Sequence, residues 1–164
     1  MAFNATPGDP AANSYIDVAT ATAWFSDRIL YHPEWAAASL AQQEAALIQA
    51  TERIDMQRFV GYLSTPSQRL KWPRAWVTNE DGYWYDSTTV PRIVQDATCE
   101  LAILILKGDY LAETKLRNIN LLKIGSLQIT PRQPQTSGKL PAQVTRLLYR
   151  VMIGGPGSAP LLRT

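Results

Sequence analysis

The stretch Val90 to Tyr110, VPRIVQDATCELAILILKGDY, constrains the fold more than any other part of the chain. Pro91 suits a first helical residue, because its missing N–H is an unpaired donor at that position anyway and its fixed φ already fits the helix. Ile93, Val94, Ala97, Leu101, Ala102, Leu104, Ile105 and Leu106 then recur at three- and four-residue spacing until the last turns are apolar nearly all round. Gly108 supplies a natural stop. A helix this apolar belongs at the centre of a bundle, with other helices laying their apolar faces on it. The reading is mainly α: a small helical bundle around a central apolar helix at 91–107, a long aromatic loop at 62–89, a short extended or hairpin segment at 116–129, and flexible N- and C-terminal arms.

One hundred and sixty-four residues, 46% apolar and 18% charged, suit one globular domain and argue against a disordered chain. Within it, residues 1–13 read as an N-terminal arm, 14–152 as the helical domain and 153–164 as a C-terminal tail. The single Cys99 falls mid-helix among apolar neighbours and reads as a reduced, buried small hydrophobe. No apolar run reaches the roughly eighteen residues of a membrane span, and the N-terminus lacks the basic and apolar regions of a signal peptide, so a protein made in the cytoplasm with no membrane partner is expected. The charge is uneven. Residues 1–106 hold seven Lys/Arg against twelve Asp/Glu, net −5, whereas residues 107–164 hold nine against two, net +7. That imbalance points the C-terminal third at a polyanion or an acidic protein surface.

Local signals place the remaining elements. Asp17 reads as the N-cap of a first helix carrying Val18, Ala21, Phe25 and Arg28, which must end before His32-Pro33. Ser39 and Gln42 form a capping-box pattern at the start of a second helix, with Leu40, Leu47, Ile48, Thr51 and Ile54 as its buried stripe, running to Met56 or Phe59. Asn79-Glu80-Asp81-Gly82, between Trp76 and Tyr83-Trp84-Tyr85, reads as a turn or short hairpin. Ile119, Leu121, Ile124, Leu127 and Ile129 alternate partly around Gly125, which suggests two short strands turning there. Leu140 to Met152 offers a last short helix with Pro141 near its start.

Enzyme patterns fail in turn. The sole histidine, His32, has no second imidazole or thiol at metal-ligand spacing, nothing flanks Cys99 as a nucleophile, and Gly154, Gly155 and Gly157 are not followed by the Lys-Ser/Thr of a phosphate loop. No catalytic residue, metal or cofactor is assigned. Trp72 and Trp76, interleaved with Arg69, Lys71 and Arg74, can be read in two ways. One is a surface that stacks bases and tracks phosphates. The other is a corner that plugs the core, with Arg74 paired to a helix carboxylate, and this second reading is preferred.

The order of pieces resembles a known family. S-Y (Ser14, Tyr15) precedes an Ala-rich helix with Trp24 and Phe25, and A-L-I-x-A-T-x-x-I-D runs from Ala46 to Asp55. F-x-G (Phe59, Gly61), the corner Q-x-L-x-W-P-R (Gln68, Leu70, Trp72, Pro73, Arg74), V-P-x-x-V-x-x-A (Val90, Pro91, Val94, Ala97), K-I-G-S-L (Lys123 to Leu127) and a late L-L helix (Leu147, Leu148) before a Gly-rich tail follow in turn. The pattern is similar to that of the head-tail connector, or adaptor, proteins of tailed bacteriophages, a group also labelled DnaT-like single-stranded DNA-binding proteins. The resemblance implies a helical structural protein of the virion neck, not an enzyme. It would form a ring, typically of twelve copies, under the portal, extend the channel for packaged double-stranded DNA and dock the next neck or tail protein. It places the portal or assembly contacts near Lys123, Ile124, Gly125, Leu127, Arg146, Arg150, Leu161, Leu162 and Arg163. Lys115, Arg117, Lys123, Arg132 and Lys139 are the candidates for facing DNA. The alternative is a single-stranded DNA-binding accessory protein of phage replication using Arg69, Lys71, Trp72, Arg74 and Trp76, which requires an exposed Trp72.

Overall fold

The computed structural model describes residues 2–108, 122–124, 127–129 and 140–153. Its described elements are helices α1 (Val18–Ser26), α2 (His32–Ala37), α3 (Leu40–Asp55), α4 (Arg92–Lys107) and α5 (Ala142–Leu148), with four very short strands β1 (Tyr62–Leu63), β2 (Arg74–Ala75), β3 (Leu122–Ile124) and β4 (Leu127–Ile129). The fold is mainly helical. Both strand pairs are antiparallel: Tyr62 faces Ala75 in the first, and Leu122 faces Ile129 in the second, the pair of short strands that the sequence alternation indicates. The residues around that second pair, 109–121, 125–126 and 130–139, lie outside the described set, as do 154–164.

Helix α4 is the centre. Val94, Ala97, Thr98, Cys99, Leu101, Ala102 and Ile103 are all buried, and the helix packs chiefly against α3 and α5. The Thr98 hydroxyl, buried with them, donates back to the Val94 carbonyl at 2.8 Å, so it leaves no polar group unsatisfied. From α3, Ala46, Leu47, Ala50, Thr51 and Ile54 complete the interface; the small residues let the two helices approach while Leu47 and Ile54 fill the space between. Full burial of side chains of that size contributes about 1.5–3 kcal/mol each. Pro91 acts one position earlier than its sequence suggests, as the N-cap, and Gly108 closes the helix with φ +73°.

Several boundaries differ from the sequence reading. The capping box of Ser39 and Gln42 is present in both directions, but Leu40, the first helical residue after the cap, is exposed rather than part of the buried stripe. Helix α3 ends at Asp55 with Met56 as its C-cap, the nearer of the two ends read from the sequence. Helix α2 begins at His32 with Pro33 inside its first turn, a position where proline needs no hydrogen bond. It brings Trp35 onto Phe25 in a stacked pair at 4.3 Å and donates from Trp35 Nε1 to Thr22 Oγ1 at 3.0 Å. The segment read as an N-terminal arm is folded on itself, with Asn4 N–H donating to Asn13 Oδ1 and Asn13 Nδ2 to the Ala2 carbonyl, each at 2.8 Å, and held on the domain, where Arg69 N–H donates to the Asp9 carbonyl at 3.4 Å and Ala12 and Asn13 are buried. Short Asn and Asp side chains bonding local backbone supply the order that periodicity does not reveal.

The corner Gln68 to Arg74 ties the loop to the helices. Gln68 is buried, accepting from Thr65 N–H and donating to the Leu70 and Pro73 carbonyls at 2.7 and 3.0 Å. The Trp72–Pro73 peptide is cis, and Trp72, 1% exposed, packs edge-on to Phe59. Among the described residues Arg74 pairs with no carboxylate, contrary to the sequence expectation. Its guanidinium donates to four backbone carbonyls instead, those of Val60 (2.7 Å), Gly61 (2.6 Å), Lys71 (3.2 Å) and Phe59 (3.4 Å). The carboxylate that the corner does use is Asp55 at the end of α3, which accepts from Lys71 N–H at 2.7 Å and from the Tyr15 hydroxyl. Burial first, then the adjacent Asp55 charge, raises the Tyr15 pKa well above that of a free phenol, so Tyr15 remains a donor.

Substituting Arg74→Met would keep the stem length and orphan the carbonyls of residues 59–61. The expected cost is about 2–4 kcal/mol, as for other buried charge-assisted networks that lose one partner. Thermal or urea unfolding of the two proteins measures it.

Candidate nucleic-acid interface

The sequence offers two tryptophans at the corner, and the fold sends them opposite ways. Trp72 enters the core. Trp76 is 71% exposed and adopts a left-handed backbone with φ +62°, uncommon for a bulky residue and costing on the order of 1 kcal/mol or more. Gly61 makes that geometry possible. With φ +73° it lies so close beneath the second strand that an added Cβ would meet Val77 Cγ2 at 2.6 Å and the Ala75 carbonyl oxygen closer still. The Arg74 bond to the Gly61 carbonyl holds the two backbones together, and the chain leaves the corner with Trp76 turned to solvent.

Trp76 opens the 76–86 hairpin. Val77 is buried and its carbonyl accepts from Tyr85 N–H at 2.9 Å, Thr78 bridges Trp84, and Asn79 N–H donates to the Tyr83 carbonyl at 2.8 Å. At the tip, Asn79 Oδ1 accepts from Asp81 and Tyr83 N–H, with Gly82 at positive φ, so the turn is closed by the residues the sequence nominated. Trp84, 63% exposed, meets Trp76 edge-to-face at 5.5 Å between centroids, and Tyr83 is 72% exposed beside them. The exposed pair therefore presents two π-faces in roughly perpendicular planes. Tyr62, on β1, is also exposed.

The local charge is acidic. Glu80, Asp81 and Asp86 are exposed on the hairpin, which carries no Lys or Arg. Arg150, just after α5, reaches over so that its Nε lies 3.0 Å from Glu80 Oε1. The hydroxyl and N–H of Thr88 both donate to Asp86 and lower its pKa, keeping it ionised.

Of the basic and aromatic residues proposed for base stacking, the structure removes Trp72, whose indole is buried in the core, and Arg74, whose guanidinium is spent on backbone carbonyls. Lys71 is partly covered, its Nζ donating to the Gln57 carbonyl at 2.7 Å, whereas Arg69 and Trp76 are on the outside. Sequence reasoning missed Trp84 and Tyr83 as surface groups; the Asp-Gly turn beside them was the available signal. Among the other nominated residues, Arg146 and Arg150 are exposed, and Lys123, Ile124 and Leu127 lie on the β3–β4 pair. Lys115, Arg117, Gly125, Arg132, Lys139, Leu161, Leu162 and Arg163 lie outside the described residues.

A second polar cluster flanks α4. Arg28 lies 3.5 Å over the Trp24 ring and donates to the Trp24 carbonyl, while Trp24 Nε1 donates to Asp96 at 2.8 Å. Burial raises the Glu100 pKa, and the Tyr31 hydroxyl with Arg28 partly offsets it. Each group is satisfied by the next, which marks a cluster that fastens α1 to α4. Cys99 is buried nearby and its thiol is pushed far up by burial, so it has no thiolate character. Among the described residues no group of three or more His, Cys, Asp and Glu could hold a metal ion.

Comparison with known proteins places the chain in a family. A family model described as "Putative DnaT-like ssDNA binding protein" matches residues 1–164, the whole length, and the chain belongs to that family. Neither curated proteins nor solved structures gave a match.

Three of the five tryptophans, Trp24, Trp35 and Trp72, are buried, so Trp76 and Trp84 should supply nearly all of the acrylamide-quenchable emission. The double variant W76F/W84F should therefore emit at shorter wavelength and resist quenching, which steady-state fluorescence reads directly.

Proposed function

We propose that the protein binds single-stranded DNA by stacking unpaired bases on the Trp76–Trp84 pair. The observation that carries this reading is two solvent-facing indoles held at fixed mutual geometry on a hairpin rooted in the core. Bases of any identity offer a π-face, so such a platform is tolerant of sequence. The family description supports the same reading. Phosphates are neutralised by the basic C-terminal third, with Arg150, already beside the hairpin, the first cation available. Binding of this kind falls steeply with salt through counterion release. No step of bond chemistry is involved, and the protein is proposed to be neither an enzyme nor a cofactor carrier.

A second reading follows from the three carboxylates around the indoles, which repel phosphate but suit a protein partner. In it the protein is a head-to-tail adaptor of a tailed bacteriophage, made in the host cytoplasm and located in the virion neck. It forms a ring under the portal, extends the channel for packaged double-stranded DNA and docks the next neck or tail protein. The resemblance in the order of motifs supports this reading.

Titration with a thymidine oligonucleotide separates the two. Stacking predicts quenching of the exposed emission, lost as salt rises, and weakening of about 1–3 kcal/mol per base when the indoles are truncated in W76A/W84A. Absence of quenching at low salt, together with capture of the protein on purified portal as a coaxial ring, would select the adaptor.

A further inference from the structure

The 76–86 hairpin has two faces, and its register says which residues share each. Thr78 lies opposite Trp84, with Tyr85 N–H bonded to the Val77 carbonyl and Asn79 N–H to the Tyr83 carbonyl on either side of the pair. Side chains of such a pair stand on the same face, and every second residue along each strand joins them. Val77 and Tyr85, one step away, belong to the inner face, where Val77 is buried and Tyr85 packs on the core. Counting two residues back from Thr78 and two on from Trp84 sets Trp76 opposite Asp86. The outer face therefore carries Trp76, Thr78, Trp84 and Asp86, all exposed, and the 5.5 Å contact between the indoles agrees with it.

Asp86 is also held in place. Thr88 donates to its Oδ1 from both N–H and hydroxyl, each at 2.8 Å, which leaves Oδ2 with no donor among the described residues. A base stacked on an indole shows its edge, not its π-face, to side chains at the rim of the platform. Stacking is blind to the groups on that edge, whereas a fixed acceptor is not. Cytosine, adenine and guanine each carry an exocyclic amine that donates to carboxylate oxygen, as cytosine N4 does to Asp and Glu in duplex grooves. Thymine and uracil carry none, and their one ring N–H is flanked by two carbonyl oxygens that meet a carboxylate with like charge. We infer that Asp86 is a specificity-determining residue of the platform: its Oδ2 accepts from the exocyclic amine of the stacked base and so favours cytosine, adenine and guanine over thymine and uracil. The inference rests on the stacking reading and adds an edge contact to it. It also gives a use to a carboxylate that otherwise only repels phosphate.

Deoxycytidine and deoxyuridine oligomers of equal length test it, since their bases match in size and differ at the edge. Titration of the exposed tryptophan emission, at one fixed low salt concentration, gives a dissociation constant for each. The full chain is expected to bind the deoxycytidine oligomer about fivefold more tightly, as one net hydrogen bond gives. In D86N the side-chain amide can donate to a carbonyl oxygen as well as accept, so the two constants converge. Binding of both oligomers also tightens, because one charge that repels phosphate is gone. E80Q removes the same charge from the tip of the hairpin and keeps the preference, which separates the edge contact from the charge. Equal constants for the full chain overturn the inference and leave the stacking platform standing, as does a preference that survives D86N. Absence of quenching by either oligomer overturns both. Both substitutions are on the surface, and an unchanged circular dichroism spectrum and thermal midpoint show that each variant is folded.

Discussion

One cation organises the non-helical half of this domain. The Arg74 guanidinium is buried and donates to the carbonyls of Phe59, Val60, Gly61 and Lys71. Charge-assisted bonds of this kind are roughly twice as strong as neutral ones, and the planar fork of arginine can serve several acceptors at once where lysine serves one point. Without it, three consecutive carbonyls leaving α3 would be turned inward with nothing to accept from. With it, two residues of each of two strands suffice to register the loop on the helical core, although a two-stranded ribbon alone is marginal in water. Asp55 performs the complementary task from the helix side, receiving the Tyr15 hydroxyl and the Lys71 amide.

The core around α4 depends on a different kind of fit. Aromatic groups gather on one flank of it, where Phe25 stacks on Trp35 and meets Trp24 edge-on at 4.9 Å, while alanines at the α3–α4 contact bring the backbones close. The polar cluster of Arg28, Trp24 and Asp96 fastens α1 to α4 at the surface of that core. Helical order and loop order are therefore secured by separate devices: packing for the helices, and a few buried charged hydrogen bonds for the loop.

What could be read in the sequence follows from that separation. The caps at Asp17 and Ser39, the apolar length of α4 and the stop at Gly108 are local signals, and the structure carries all of them. Helix α2 was not legible because Pro33, read as a breaker, is harmless in a first turn. The β1–β2 pair was not legible because it is two residues long and is held by a side chain rather than by alternation. The candidate site was half legible. Trp72 and Trp76 look equivalent in the sequence, yet Trp72 fills the core while the left-handed backbone at Trp76, allowed by a glycine fifteen positions earlier, turns the second indole to solvent.

That the aim of the indoles is set at the root of the hairpin has a consequence for variation. Trp76 is directed by the backbone of residues 61 and 74–77, and the stem is held by Val77 and Tyr85. Residues 79–82, four positions at the tip, close on themselves through Asn79 and bear none of that geometry. The tip is therefore a natural exchange cassette: its charge can be rewritten without re-engineering the domain beneath. It can diverge at the rate of a surface loop while the scaffold stays as constrained as the buried Arg74 makes it.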